Sequence, residues 1–242
     1  MFSELAIGYE SDEQKNEAIL LASELNLPLS NEANKKIIVT AEKLVLHLEP
    51  FLPISCNFAR NFWQKRHREG KNQGLFRACK PRPGMRIIDT TAGWGKDAAI
   101  LASFGADVIL LERNPIMGIL LNDALKRQKD DPNPLKLHLI RQDAIDFLNN
   151  LEPLNYPDLI YIDPMHPSRQ KAALVKKELQ VLQQLIKPDI DALDLLRLAR
   201  ARCLQKVVVK WPKRVSPLLE PSSSINENTV RFDIYLPSIV RN

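Results

Sequence analysis

From Met85 onward, short apolar segments alternate with longer amphipathic segments, and this alternation restricts the possible folds more than any other feature of the chain. The short segments are rich in Val, Ile and Leu, which favour strands, whereas the longer ones have the apolar spacing of helices. We predict strands at residues 85–89, 106–112, 135–143, 158–163, 206–210 and 231–236. Strands that alternate with helices indicate an α/β fold with a mostly parallel sheet that is covered on both faces.

The last two predicted strands have no helix between them, only residues 212–228, which are rich in Pro, Ser and Asn and predict a loop. We therefore expect these strands to form an antiparallel hairpin at the edge of the sheet. Residues 1–59 have strand, helix and hairpin patterns that predict a small α/β subdomain. Residues 60–84 are interpreted as a basic connecting segment and residues 85–242 as the main domain.

Composition disfavours several classes of protein. No apolar run approaches the roughly 20 residues of a membrane-spanning helix, and the N-terminus has acids where a signal peptide has basic residues. We expect a cytoplasmic protein that does not contact a membrane. The three cysteines and four histidines lack the paired spacing of metal ligands, so no metal site is predicted.

Positive charge is concentrated in two stretches of the chain. The net charge is +5, but residues 56–82 hold eight basic residues against one acid, and residues 195–214 hold seven and no acid. Clustered cations are typical of proteins that bind polyanions. A basic face that is merely solvated gives the same composition, and we favour nucleic acid as the partner because the clusters recur.

A glycine-containing turn follows the first strand of the main domain. Gly93 and Gly95 lie between that strand and a predicted helix, which is the context of nucleotide-binding turns. Glu112 ends the second strand, where an acid accepts hydrogen bonds from ribose hydroxyls. The combination predicts a nucleoside ligand. Asp97 could instead serve only the helix dipole, and Glu112 could simply pair with Arg113.

The acids around this turn favour a cationic ligand over a dinucleotide. Asp97 falls in the first helical turn, where it would repel a pyrophosphate. S-adenosylmethionine carries an ammonium and a sulfonium, and Asp89 and Asp97 suit these charges. Asp143, after the third strand, lies where the adenine ring is commonly contacted in such folds. We therefore favour S-adenosylmethionine over NAD.

A stiff acidic loop follows the fourth strand, with the sequence Asp163-Pro164-Met165-His166-Pro167. Ligands of such sheets bind beyond the carboxyl ends of the strands, so Asp163 should lie near the glycine turn. A carboxylate and the carbonyl of Pro164 could accept both protons of an exocyclic amine and orient it toward a methyl group. A strand that simply ends in an Asp-Pro turn is the alternative.

Several motifs in one order make the family recognisable. The sequence resembles the ribosomal RNA small subunit methyltransferase J family in the segments "DTTAGWGKDAAILAS", "LLERNP", "YIDPMHPSRQKAALVKKE", "VVVKWP" and "RFDIYL". The resemblance covers roughly residues 60–236 and implies a class I (Rossmann-like) methyltransferase fold. It also implies methylation of N2 of a guanosine in 16S rRNA with S-adenosylmethionine as cofactor, so that residues 85–242 form the cofactor-binding catalytic domain.

The resemblance also implies individual roles. The family's cofactor contacts fall on Lys96, Asp97, Glu112, Arg113, Asp143, Ala144 and Asp163. His166 stands where the family usually has an aromatic residue, which could stack on the target base. Lys96 replaces the usual Arg and loses its bidentate fork.

Cations near these motifs are expected to bind RNA phosphates. They are Arg66, Arg68, Lys71, Arg169, Lys171, Lys176, Lys177 and Lys210. Two alternative functions stay open: methylation of an amine on another base of RNA or DNA, and RNA binding without catalysis by a Rossmann-like domain. A monomer that binds 16S rRNA or the small ribosomal subunit is favoured.

Overall fold

The computed structural model describes residues 5–129, 131–164 and 191–238, apart from the side chain of Lys71. Seven strands form the main sheet of this part of the chain, in the order β6-β5-β4-β7-β8-β10-β9. The strands are β4 (Arg86–Asp89), β5 (Asp107–Leu111), β6 (Leu137–Ile140), β7 (Leu159–Ile162), β8 (Lys206–Pro212), β9 (Ser223–Asn226) and β10 (Val230–Tyr235). Strands β4 to β8 run parallel to one another, and β10 is antiparallel to β8 and β9.

Both faces of the sheet are covered because its central strands are apolar at consecutive positions. Ile87 points into one hydrophobic cluster and Ile88 into the other, as the alternation of side chains along a strand requires. One cluster contains α3 (Gly74–Cys79), α4 (Lys96–Ser103) and α5 (Pro115–Gln128). The other contains α6 (Ala144–Asn149) and α7 (Ala192–Ala201). The predicted Rossmann-like architecture is confirmed.

A second, three-stranded sheet precedes the main one. It consists of β1 (Leu5–Tyr9), β2 (Lys35–Val39) and β3 (Leu44–Leu48), with α1 (Lys15–Leu25) packed on it. The hairpin of β2 and β3 agrees with the sequence pattern. Its core is continuous with that of the main sheet, and the backbone N of Leu44 donates to Asp123 of α5. The division at residues 59 and 84 stays a prediction.

The connecting segment between the two sheets is largely helical. It contains α2 (Arg60–Arg68) and α3, and α2 packs against α4. Trp63 and His67 lie on the inner side of α2, where the ring of His67 stacks on that of Phe104. The helices in the described ranges all fall short of the length and apolarity that crossing a bilayer requires.

The C-terminal part of the sheet confirms the predicted antiparallel pairing of β8 with β10 but differs from the prediction at the edge. Residues 212–228 were predicted as a loop, but they contain β9, which pairs with β10 and forms the edge. Strand β10 is therefore an inner strand and not the edge of a hairpin. The sequence Ser-Ser-Ile-Asn of β9 has no run of strand-forming residues, so its conformation depends on pairing with β10. The helix predicted from about Ser168 to Ile186 lies outside the described residues.

A buried ion pair stabilises this end of the sheet. The Nε of Arg231 donates to both carboxylate oxygens of Asp233, at 2.8 and 2.9 Å, and Ser224 of β9 donates to the same carboxylate. The other end of the Arg231 guanidinium donates to the carbonyls of Pro212, Lys213 and Val215. The pair therefore joins β9, β10 and the segment that follows β8.

Removing the acid of this pair should be costly, because Arg231 is left as a buried, uncompensated charge. We expect Asp233→Ala to lower the free energy of unfolding by about 3–5 kcal/mol. Ser224→Ala, which removes only a hydroxyl donor to the same carboxylate, should cost about 0.5–1.5 kcal/mol. Urea unfolding of both variants measures the difference, and equal small losses would contradict a structural role for the ion pair.

Candidate active site

Acidic residues gather where the parallel strands end. Asp89 is the last residue of β4, Glu112 follows β5, and Asp163 follows β7. Because these strands are parallel neighbours, their carboxyl ends meet at one edge of the sheet. We call this surface the carboxylate edge; with the glycine turn of residues 90–95 and Asp143, it contains most of the predicted site.

The glycine turn adopts a backbone that other residues rarely adopt. Gly93 has φ of +52° and Gly95 has φ of +69°, both in the left-handed region. Gly95 is also restricted by space, because a Cβ there would lie 2.7 Å from the ring of Phe58. Two left-handed residues so close together bring the chain sharply from β4 into α4. This explains the glycine spacing in the sequence.

Glu112 fastens the glycine turn to the neighbouring strand. Its Oε2 accepts a hydrogen bond from the backbone N of Gly93 at 3.0 Å, and its Oε1 accepts one from the backbone N of Asn114 at 2.7 Å. Asn114 in turn caps α5, accepting from Ile116 and Met117. Glu112 is buried, so these bonds are shielded from water. The residue predicted to bind ribose therefore also shapes the turn.

Asp143 has a comparable double role at the next strand end. Its Oδ1 caps α6 by accepting from Ile145, and its Oδ2 pairs with Arg113 at 3.2 Å. Arg113 also pairs with Asp191, the residue before α7, at 2.8 Å. Ala144 is the buried first residue of α6. The predicted contacts Arg113, Asp143 and Ala144 thus lie together, and Asp191 is an addition that sequence spacing did not indicate.

Asp97, in the first turn of α4, contacts three side chains beside the carboxylate edge. Its Oδ2 lies 3.0 Å from Nζ of Lys210 and accepts the hydroxyl of Tyr161 at 2.8 Å, and its Oδ1 lies 2.9 Å from Arg66. Lys210 also reaches Oδ2 of Asp163, at 2.6 Å. Two carboxylates on different elements are therefore joined through one ammonium. The sequence patterns had assigned Lys210 and Arg66 to RNA binding. A sequence pattern does not indicate which distant acid a cation will contact in the folded chain.

These contacts determine the charge of both partners. Burial acts to raise the pKa of Asp97, but Lys210 and Arg66 outweigh it and hold that pKa well below its usual range. Burial acts to lower the pKa of Lys210, and Asp163 and Asp97 outweigh it, so the pKa of the ammonium is raised. Asp97 and Lys210 are therefore both charged at neutral pH.

In contrast to Asp97, the carboxyl of Asp89 has a raised pKa. Burial raises its pKa from 3.8 to about 7, against the hydrogen bond that Asp89 accepts from the backbone N of Thr91. The hydroxyl of Thr91 accepts from the backbone N of Asp163 at 2.7 Å, so the glycine turn and the end of β7 are bonded directly. Thr91 was not singled out from the sequence, since a threonine in a turn has no distinctive spacing.

The predicted RNA-binding residues differ in their exposure and in the groups that they contact. Arg68 is exposed in the last turn of α2, whereas Arg66 and Lys210 bind carboxylates. Lys206, in the second basic cluster, donates to the carbonyl of Ala78. The side chain of Lys71 and all of Met165, His166, Arg169, Lys171, Lys176 and Lys177 lie outside the described residues.

The carboxylate edge suits a cationic nucleoside. Glu112 is bonded to the glycine turn. Asp89, a buried carboxyl with a pKa near 7, directly precedes that turn in the chain. The carboxylate of Asp97 already lies in the N-terminal turn of α4, where a dinucleotide would place its pyrophosphate. The residues therefore fit S-adenosylmethionine better than a dinucleotide. Lys96 is exposed at the start of α4.

Comparison with known proteins agrees with this geometry. A family model described as "Putative SAM-dependent methyltransferase" matches residues 20–237. The crystal structure of a SAM-dependent methyltransferase from Neisseria gonorrhoeae superposes with a TM-score of 0.70, at 22% identity and 97% coverage of both chains, which supports the fold. Fold and site thus define the class: a Rossmann-like, S-adenosylmethionine-dependent methyltransferase.

Curated relatives narrow the class to one family. The chain is 55% identical over 98% of both chains to ribosomal RNA small subunit methyltransferase J of Legionella pneumophila. It is 38% identical to the protein of that name from Thioalkalivibrio sulfidiphilus, over 96% of this chain and 97% of the relative. The chain belongs to the ribosomal RNA small subunit methyltransferase J family. The resemblance seen in the motifs is confirmed, and the roles of individual residues stay predictions.

The raised pKa of Asp89 predicts a dependence of stability on pH. Because its folded-state pKa of about 7 exceeds the ordinary 3.8, the folded protein binds this proton more tightly than the unfolded chain. The contribution is complete below about pH 4 and is lost as pH rises through about 7. Relative to Asp89→Asn, the wild type should lose up to about 1.4 kcal/mol per pH unit in this window.

Urea unfolding of both proteins across this pH range measures the effect, and all other groups common to both proteins serve as the internal control. A constant difference between wild type and Asp89→Asn would show that the Asp89 carboxyl titrates alike in the folded and unfolded chains. That result would contradict the raised pKa.

Proposed function

We propose that this protein transfers a methyl group from S-adenosylmethionine to the exocyclic N2 amine of a guanosine in 16S ribosomal RNA, in the bacterial cytoplasm. The names of the curated relatives support ribosomal RNA of the small subunit as the substrate. The observation that carries the reaction is the position of Asp163. Its backbone is bonded to the glycine turn through Thr91, and its carboxylate is held by Lys210.

The cofactor is assigned to the carboxylate edge. Bound there, S-adenosylmethionine supplies an electrophilic methyl group on a sulfonium. Glu112 is assigned to the ribose hydroxyls, since a carboxylate can accept more hydrogen bonds than those from Gly93 and Asn114. Asp143 and Ala144, at the start of α6, are assigned to the adenine. Lys96, Asp97 and Arg113 complete the proposed set.

The role of Asp163 and Pro164 follows from the electronic structure of the amine. The lone pair of a guanine N2 is delocalised into the ring, which makes the amine a poor nucleophile. A carboxylate that accepts one N–H and a carbonyl that accepts the other would hold the amine in the orientation for transfer. The gain is positional and electrostatic. His166 is proposed to stack on the base.

Replacing Asp163 tests this mechanism. Asp163→Ala should lower the single-turnover methylation rate of 16S rRNA by about 10²-fold or more, the scale of losing one preorganised polar group. Asp163→Asn should lose less, because its amide oxygen still accepts a hydrogen bond. The measurement uses labelled methyl donor and 16S rRNA from a strain that lacks the gene, with nuclease mapping of the labelled nucleotide.

Asp158 offers a matched control at the opposite end of β7. Its carboxylate accepts from Arg86 and Gln205, so Asp158→Ala should affect stability and leave the chemical step of folded enzyme unchanged. Near-normal methylation by Asp163→Ala would refute the catalytic role. Label that maps to an adenosine or cytidine would refute the guanosine substrate and favour a related amino-methyltransferase.

The outer face of α2 supports RNA as the partner. Arg60, Lys65 and Arg68 are exposed on this helix, and Phe62 is 61% exposed beside them. We call these four residues the α2 surface. An exposed aromatic ring among cations suits single-stranded RNA, whose bases stack on the ring while the cations contact phosphates. Arg66, on the same helix, reaches Asp97, so the α2 surface adjoins the carboxylate edge.

Charge reversal on the α2 surface should weaken RNA binding in a salt-dependent way. For Lys65→Glu combined with Arg68→Glu, the slope of log affinity against log salt should fall in magnitude by about 0.7 for each phosphate that the variant no longer neutralises. Phe62→Ala should cost about 1–3 kcal/mol of binding with no change of slope, because it removes stacking alone. Fluorescence anisotropy with labelled RNA measures both.

Exposed residues elsewhere provide controls. Lys129, which follows α5, and Lys136, which precedes β6, are both exposed, and their reversal should alter the slope much less. Leu154, at 89% exposed, is an apolar control for Phe62. Equal losses in the α2 and control variants would show that RNA responds only to net charge and would refute a defined α2 surface.

A further inference from the structure

Lys210 is the cation through which two acids of the carboxylate edge are connected. It lies on β8, next to the strand that ends at Asp163. Its ammonium is 2.6 Å from Oδ2 of Asp163 and 3.0 Å from Oδ2 of Asp97, and its side chain is 25% exposed. A cation engaged by two carboxylates has little capacity left for an RNA phosphate, which is the role that clustering in the sequence suggested.

Asp97 provides a fixed anchor for this lysine. It receives Tyr161 and Arg66 as well as Lys210, so its carboxylate is oriented by groups from three other elements. Tyr161 is buried in the sheet and Asp97 lies in the first turn of α4, so the anchor has little freedom to move. A lysine bonded to such an anchor loses the flexibility of its long side chain.

The contact with the anchored Lys210 restrains the side chain of Asp163. Its backbone is fixed by the bond to Thr91, but its side chain is 37% exposed. The short contact with Lys210 restricts the rotation of that carboxylate. The cation also opposes the repulsion between Asp163 and the acids Asp97 and Asp89, which would otherwise favour protonation.

We propose that Lys210 is a positioning residue for methyl transfer, which holds the Asp163 carboxylate ionised and oriented by linking it to Asp97. The inference rests on the proposed function, because it assigns to Asp163 the contact with the amine. It adds a residue that acts through Asp163 and removes Lys210 from the RNA-binding set. Within the described residues, the charged and titratable groups that interact with Lys210, Asp163 or Asp97 include Asp89, Tyr161, Arg66 and Cys79.

The test compares Lys210→Met with Lys210→Arg. The Met variant keeps most of the side-chain volume and removes the charge, so its single-turnover rate should fall by about 10–10²-fold. The acid limb of its pH–rate profile should move up by about one pH unit or more, since two carboxylates lose their shared cation. The Arg variant should recover much of the rate and the wild-type pH profile.

Lys206→Met is the matched control. Lys206 lies on the same face of β8, four residues before Lys210, and bonds a carbonyl instead of an acid. Its replacement should leave the acid limb of the pH–rate profile in place.

RNA affinity and its salt slope should be unchanged in Lys210→Met. A weaker affinity with a smaller slope at an unchanged single-turnover rate would overturn the proposal in favour of a phosphate contact.

Two further measurements separate this proposal from the proposed function. The carboxyl ¹³C signals of Asp97 and Asp163 can be titrated in the protein alone. Their midpoints should rise in Lys210→Met and return in Lys210→Arg, even if guanosine is not the target. Midpoints that do not move would overturn the proposal. In single-turnover assays, Lys210→Met should cost little more once Asp163 is Ala, and additive losses would equally overturn it.

Discussion

The structure of the carboxylate edge depends on compensating the negative charge that parallel strands bring together. Asp89, Asp97 and Asp163 meet there because their elements converge, and three carboxylates in a partly buried site repel one another. Two effects reduce this repulsion: pairing with cations and protonation of a carboxyl. Lys210 and Arg66 keep Asp97 ionised, while burial of Asp89 outweighs the attraction of Lys210 and shifts this carboxyl toward its neutral form. Cations and a bound proton together make the convergence of acids tolerable.

The same principle explains why the predicted cofactor residues also have structural bonds. Glu112 holds the glycine turn, and Asp143 caps α6 and pairs with Arg113. Each carboxylate is thereby oriented before any ligand arrives, and a preoriented acceptor gives up less entropy on binding. Substitutions at Glu112 and Asp143 should therefore disturb the local fold as well as the cofactor binding proposed for these residues.

Much of this site could be predicted from the sequence because its markers are local. An acid after an apolar strand, or a glycine between strand and helix, is visible in a few consecutive residues, which is how Glu112, Asp143 and Asp163 were found. The contacts of Lys210 and Arg66 with acids could not be predicted from the sequence, because their partners are distant in the chain: Asp97 is 113 positions from Lys210. Strand β9 was missed for a related reason, since its conformation comes from pairing with β10.

The basic segments therefore contain two physically different kinds of cation. On α2, Arg66 turns inward to Asp97, while Lys65 and Arg68 remain exposed. A cation that stays paired with a carboxylate neutralises no RNA phosphate and therefore releases no counterion from the RNA. Such a cation contributes little to the salt dependence of affinity. The number of phosphates bound should accordingly follow the exposed cations and not the total charge of the segment. For the proposed RNA interface, counting all cations of these segments would therefore include Arg66 and Lys210, whose side chains contact the acids of the carboxylate edge.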